Sequence, residues 1–262
     1  MKMLVCSAGR LMQFVVTFAL VTLFSGSCKA SDPGSRERSF VKALELFDAA
    51  TSADDYLGSA RELESILAEG FENGAVYYNL GNAYYRAGEF GRAILNYRKA
   101  KPYRPRDTYL EANLQQALAA APGRLSEPAM PWWTHVLFWS DWFSHPTKVR
   151  LAANGVMLAA GLFLLTVVLR RDALLLLAIA ALLGGSALGL EAWLSHLSRM
   201  NRGVITAETM AQKGTGKDYE AAFDQPLKDG AEFLILSQTA DWTFGHFEGI
   251  GDGWVRNEFV AR

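Results

Sequence analysis

Four histidines, at positions 135, 145, 196 and 246, are the side chains best suited to moving protons near neutral pH, and they are scattered along the chain. No serine or cysteine nucleophile pairs with any of them in a triad order, and no HExxH pair is present to hold zinc. The glycine-rich run Gly249-Ile250-Gly251-Asp252-Gly253 falls between strand-like segments and is a hairpin turn rather than a phosphate loop. These absences point away from an enzyme, a cofactor or a metal centre. What the residues offer instead is recognition. Tyr78, Asn82, Tyr85 and Arg86 share one helical face. Trp242, Phe244 and Trp254 lie in strand-like runs and offer a second, aromatic surface for a peptide or a cell-wall glycopeptide.

The first set needs a helical frame, and residues 74–107 provide one. They hold Tyr77, Leu80, Gly81, Tyr84, Ala93, Tyr97, Ala100 and Pro105 at the positions of a 34-residue tetratricopeptide repeat. Gly81 and Ala93 are small, so two helices can approach, and Pro105 ends the second helix. A degenerate repeat over residues 39–72 and a capping helix over 107–120 complete the array of residues 31–125. Such arrays bind peptides or partner proteins in a groove lined by the first helix of each repeat. The spacing leaves two uses open for Tyr78 and Tyr85: lining that groove, or packing on the next repeat. Residues 98–106 form a basic end, suited to anionic lipid, an acidic partner or plain solvation of a helix terminus.

The second set needs strands. Runs at 204–207, 219–223, 231–236, 242–247 and 253–255 are separated by glycine-rich turns. Five short strands over residues 199–262 predict a small closed barrel. The Leu227-to-Gly230 turn and the closing Gly253-Trp254-Val255 resemble bacterial SH3-like domains.

Two uncharged runs, 151–169 and 173–190, separate these parts, joined only by Arg170-Arg171-Asp172. Each is long enough to cross a membrane, which predicts an antiparallel transmembrane hairpin over residues 147–195. Gly184, Gly185, Ser186 and Gly189 predict a small-residue packing face, and Glu191 sits where it reaches water near the outer end. The tryptophan-rich residues 131–146 predict an interfacial segment, with Ser144 and Pro146 opening the first span. Residues 1–30 have the basic, apolar and small-residue layout of a signal peptide, cleaved or kept as an anchor. They contain both cysteines, Cys6 and Cys28, so cleavage would remove every thiol. With 26 bases against 27 acids, a broad nucleic-acid-binding surface is excluded.

Signal segment, repeats, an arginine-linked hairpin and a domain ending in Gly-Trp-Val occur in an order similar to the BatE family of aerotolerance-operon proteins. The resemblance implies a multidomain fold: an all-α tetratricopeptide array, a two-helix transmembrane hairpin and a C-terminal all-β SH3-like barrel. It implies a non-enzymatic scaffold in the bacterial inner membrane, with both soluble parts in the periplasm. Its partners would be envelope proteins, von Willebrand A-type Bat proteins and a MoxR-type ATPase among them. The alternative function is a cell-wall protein that holds peptidoglycan on the barrel.

Overall fold

The computed structural model describes residues 33–126, 139, 141–216 and 219–262. Residues 1–30, expected to form a signal segment, lie outside these residues, as does most of the tryptophan-rich stretch.

Five helices come first: α1 (Pro33–Ala49), α2 (Ala53–Ala68), α3 (Gly74–Ala87), α4 (Phe90–Ala100) and α5 (Thr108–Ala120). Local chemistry sets their ends. Ser52 and Asp55 form a capping box before α2, with the Ser52 main-chain N–H donating to Asp55 Oδ2 at 2.9 Å. These hydrogen bonds, that of the Ser52 hydroxyl foremost, hold the Asp55 carboxyl below its ordinary range. Asn73 caps α3 and Asp107 caps α5, while Gly88 closes α3 in the left-handed region at φ +84°. Each helix packs on the next. At the α3–α4 crossing, a Cβ on Gly81 would lie 2.6 Å from the Tyr97 ring, so only glycine admits that tyrosine. Ala93, Ile94, Tyr97 and Ala100 form the buried face of α4.

Two long helices follow, α6 (His145–Leu169) and α7 (Asp172–Met200). Pro146 opens α6 in its first turn after Ser144. Arg170, at φ 51°, turns the chain back toward α7. Both helices are long and apolar enough to cross a membrane, and most of their leucines and valines face outward. They meet through Gly155 and Gly185; a Cβ on Gly155 would come within 2.9 Å of the Gly185 Cα. Gly189 faces Ala152, whereas Gly184 and Ser186 point away, so the packing face is narrower than the sequence predicts. Glu191 also departs from expectation. It is 1% exposed and accepts from Lys148 Nζ and Ser195 Oγ, both at 2.8 Å.

The last part is a five-stranded antiparallel sheet in the order β4-β3-β2-β1-β5. Its strands are β1 (Arg202–Ile205), β2 (Glu232–Gln238), β3 (Trp242–Phe247), β4 (Gly251–Arg256) and β5 (Val260–Ala261). This sheet is open, so the expected closed SH3-like barrel is not formed. Two features explain the difference. The expected strand at 219–223 makes only an isolated bridge, Gln212 to Ala221, in a stretch broken by Gly214, Gly216 and Pro226. The other edge is β5, only two residues long, and α4 packs against β1 and β5. Phe233 and Phe247 stack at 4.6 Å in the sheet's core, where Gly203 and Gly245 leave room for the Phe233 ring.

The sheet and the helical array share a close junction. Val204 of β1 belongs to the array's apolar core. Arg98 forks onto Glu232, donating from Nε at 3.0 Å and from Nη2 at 2.9 Å. Asp229 Oδ1 accepts from the Gly91 main chain and its carbonyl from the Gly123 main chain, both at 2.9 Å. Burial pushes the Asp229 carboxyl above its ordinary range, against the hydrogen bond from Gly91. A Cβ on Gly91 would stand 2.3 Å from the Ile205 carbonyl oxygen.

Candidate functional site in the groove of the helical array

The residues expected on one face of α3 do converge. Asn82, Tyr85 and Arg86 line a cavity of about 510 Å³. Its other walls come from Phe47 of α1, Tyr97 of α4, and Asn113 and Gln116 of α5. Tyr78 stands beside it, one helical turn before Asn82. The cavity is therefore built by four helices.

Its floor is a hydrogen-bond ladder. Tyr97 Oη donates to Asn82 Oδ1 at 2.8 Å, and Asn113 Nδ2 donates to the same oxygen at 2.9 Å. The Asn113 amide also donates to Tyr78 Oη at 3.1 Å. Burial, with the neighbouring Tyr78 and Tyr85 next in effect, raises the Tyr97 phenol well above its ordinary range, so it stays a proton donor. Arg104 lies over the Tyr78 ring at 4.7 Å, and Arg86 over the Tyr56 ring at 5.9 Å. Tyr85 meets Phe90 edge-on at 5.8 Å. Both uses left open for the tyrosines are thus present: each packs on a neighbour, and Tyr85 still lines the cavity.

Sequence reasoning missed Asn113 and Gln116. Their signal was available, because two amides three apart on the capping helix repeat the polar face that α3 presents. Phe47 gave no such signal; it reaches the cavity only through the packing of α1.

The aromatic set on the sheet is placed differently. Phe244 faces Trp254 across the β3–β4 pair, with rings 5.0 Å apart. Trp242 shares their face by strand alternation. Thr243 and Phe247, which are buried, occupy the opposite face. The three aromatics are half-buried on the sheet's outer side rather than gathered in a barrel groove.

The basic end of α4 is largely used within the molecule. Arg98 meets Glu232, Lys101 donates to Glu111 at 2.9 Å, and Arg104 pairs with Asp107. The hydrogen bond from Lys101 holds the Glu111 carboxyl below its ordinary range. The chain matches no protein-family model and no curated protein.

Proposed function

We propose that this chain is a non-enzymatic membrane adaptor whose helical array, of tetratricopeptide type, takes an extended segment of an envelope protein in its groove. The cavity lined by Asn82, Tyr85, Arg86, Asn113 and Gln116 carries the reading. Amide side chains on neighbouring helices can both donate to and accept from a peptide main chain. Tyr85 offers apolar area at low entropic cost, and Arg86 offers a fork for a carboxylate.

The α6–α7 hairpin serves as the anchor. Its helices have 25 and 29 residues, against ~20 needed to cross a hydrocarbon core. The Arg98–Glu232 and Asp229 contacts support a layout with array and sheet on one side of the bilayer. A signal segment at the N-terminus favours the periplasmic side of a bacterial inner membrane. The similarity to the BatE family points to the same layout, and to von Willebrand A-type Bat proteins as partners in envelope or oxidative stress tolerance.

A photo-crosslinking residue at Tyr85 of the full chain in native membranes tests the groove. A defined adduct is expected there, absent from the same probe at exposed Leu236 and weakened at least five-fold by Asn113→Ala. Identical adducts at both positions would exclude the groove as the contact. Protease added to spheroplasts should cleave both residues 31–126 and 202–262; protection of either part would overturn the topology.

A further inference from the structure

Where the array, the hairpin and the sheet meet, a second cavity of about 390 Å³ opens between α4, the loop after it, the start of α6 and the end of α7. Its walls hold Lys99, Arg199, Arg202 and Arg262, with His145 and His196 between them. Among the described residues that line the cavity, Glu72 is the one acid, and it accepts from Tyr103 Oη at 2.7 Å. Lys99 donates to the main-chain oxygen of Arg262 at 2.8 Å. Arg202 has a partner of its own; with the Arg262 oxygen counted as a full negative charge, Lys99, Arg199 and Arg262 still outnumber the two anions of the lining. Burial lowers the affinity of Lys99 for its proton, and the Glu72 carboxylate opposes that effect.

Height matters as much as charge. His145 begins α6 and Arg199 lies in the last turn of α7, so the cavity stands at the end of both apolar helices. The His145 main chain donates to the Pro102 carbonyl at 2.7 Å and ties that end to the array. Met200 lines the cavity. Leu190, Trp193, Leu197 and Met200 are all exposed and follow one face of α7 by helical spacing. An apolar stripe therefore runs from the hairpin's flank to a cationic mouth.

We propose that this cavity binds a phosphate group, supplied by the headgroup of an anionic phospholipid whose acyl chains lie along the α7 stripe. The proposal rests on the membrane reading of the hairpin. Guanidinium and ammonium donors suit phosphate oxygens, and the two imidazoles add donors without requiring further charge. A bound headgroup would join three parts of the chain at one point, and so couple the array's orientation to the bilayer surface.

Native mass spectrometry of the full chain, extracted in mild detergent with added phosphatidylglycerol or phosphatidylcholine, provides the test. Phosphatidylglycerol adducts should exceed phosphatidylcholine adducts, and Lys99→Gln/Arg199→Gln should reduce them at least five-fold. Lys213→Gln, on the exposed far side of the sheet, should leave them unchanged. A thermal melt of each variant separates lost binding from lost folding, and Arg199→Gln alone serves if the double variant unfolds. Equal adducts in parent and folded variant would overturn the proposal. Stabilisation by inorganic phosphate without lipid adducts would keep the phosphate site and overturn the lipid as its source. Release of the protein from membranes by alkaline carbonate would instead break the membrane reading, independently of the adducts.

Discussion

Among the described residues, a half-buried ion pair at the junction of array and sheet and a buried one in the hairpin are built differently. At the junction of array and sheet, each oxygen of Glu232 takes its own N–H from the Arg98 fork. In the hairpin, Lys148 and Ser195 share one oxygen of Glu191, and the other has no hydrogen-bond partner among the described residues. A fork fixes angle as well as distance; a shared oxygen fixes distance alone. The junction is therefore the part that resists rotation. The hairpin pair selects the register of two largely apolar helices.

Breaking the hairpin pair should have the larger effect. Lys148→Ala leaves a buried carboxylate uncompensated and should cost ~3–5 kcal/mol in detergent-titrated unfolding of the full chain. Lys148→Met/Glu191→Leu should recover most of that loss, because apolar side chains of similar volume replace the pair. Failure to recover would mean that the pair does more than set register. At the junction, Arg98→Ala should cost about 3 kcal/mol, read as faster proteolysis between array and sheet. Arg98→Lys keeps the charge but not the fork, and should retain part of the loss, ~1 kcal/mol. Equal stability of Lys and Arg at this position would refute the role given to the fork. Gly91→Ala should open the same junction by ~1–3 kcal/mol, since its Cβ would collide with the Ile205 carbonyl. Gly184→Ala, with nothing within 4 Å, is its control and should stay within ~0.5 kcal/mol.

The smallest effect is one of pH. Burial raises the Asp229 carboxyl in the fold, so the fold binds its proton more tightly than the unfolded chain does. Its contribution to stability falls as pH rises from the ordinary carboxylate range through the raised value. Asp229→Asn keeps an oxygen for the Gly91 N–H. It should gain on the parent at neutral pH and lose that gain toward about pH 4. A difference independent of pH would show that the carboxyl titrates normally.

Much of this was legible because it is local. The close approach of Gly81 and Tyr97, the Asp107 cap, and the two apolar runs all speak through spacing along a few turns. The groove face of α3 was legible for the same reason. Sheet closure was not, since it depends on whether residues 219–223 find a partner strand, and no short-range pattern reports that. Nor was the burial of Glu191, which needs Lys148 from a different helix 43 residues away. The junction was hidden most completely. Arg98 reads as one of several surface cations until Glu232, 134 residues later, is placed beside it.

Val204 carries a consequence for biosynthesis. This residue, in the first strand after the hairpin, is buried in the apolar core of helices made more than 80 residues earlier. The array leaves the ribosome with part of its core missing, and both long apolar helices are synthesised before the missing piece arrives. Order of translation thus makes hairpin formation a checkpoint. An array whose hairpin has failed to deliver β1 stays unfinished, and an unfinished core is what quality-control proteases act upon.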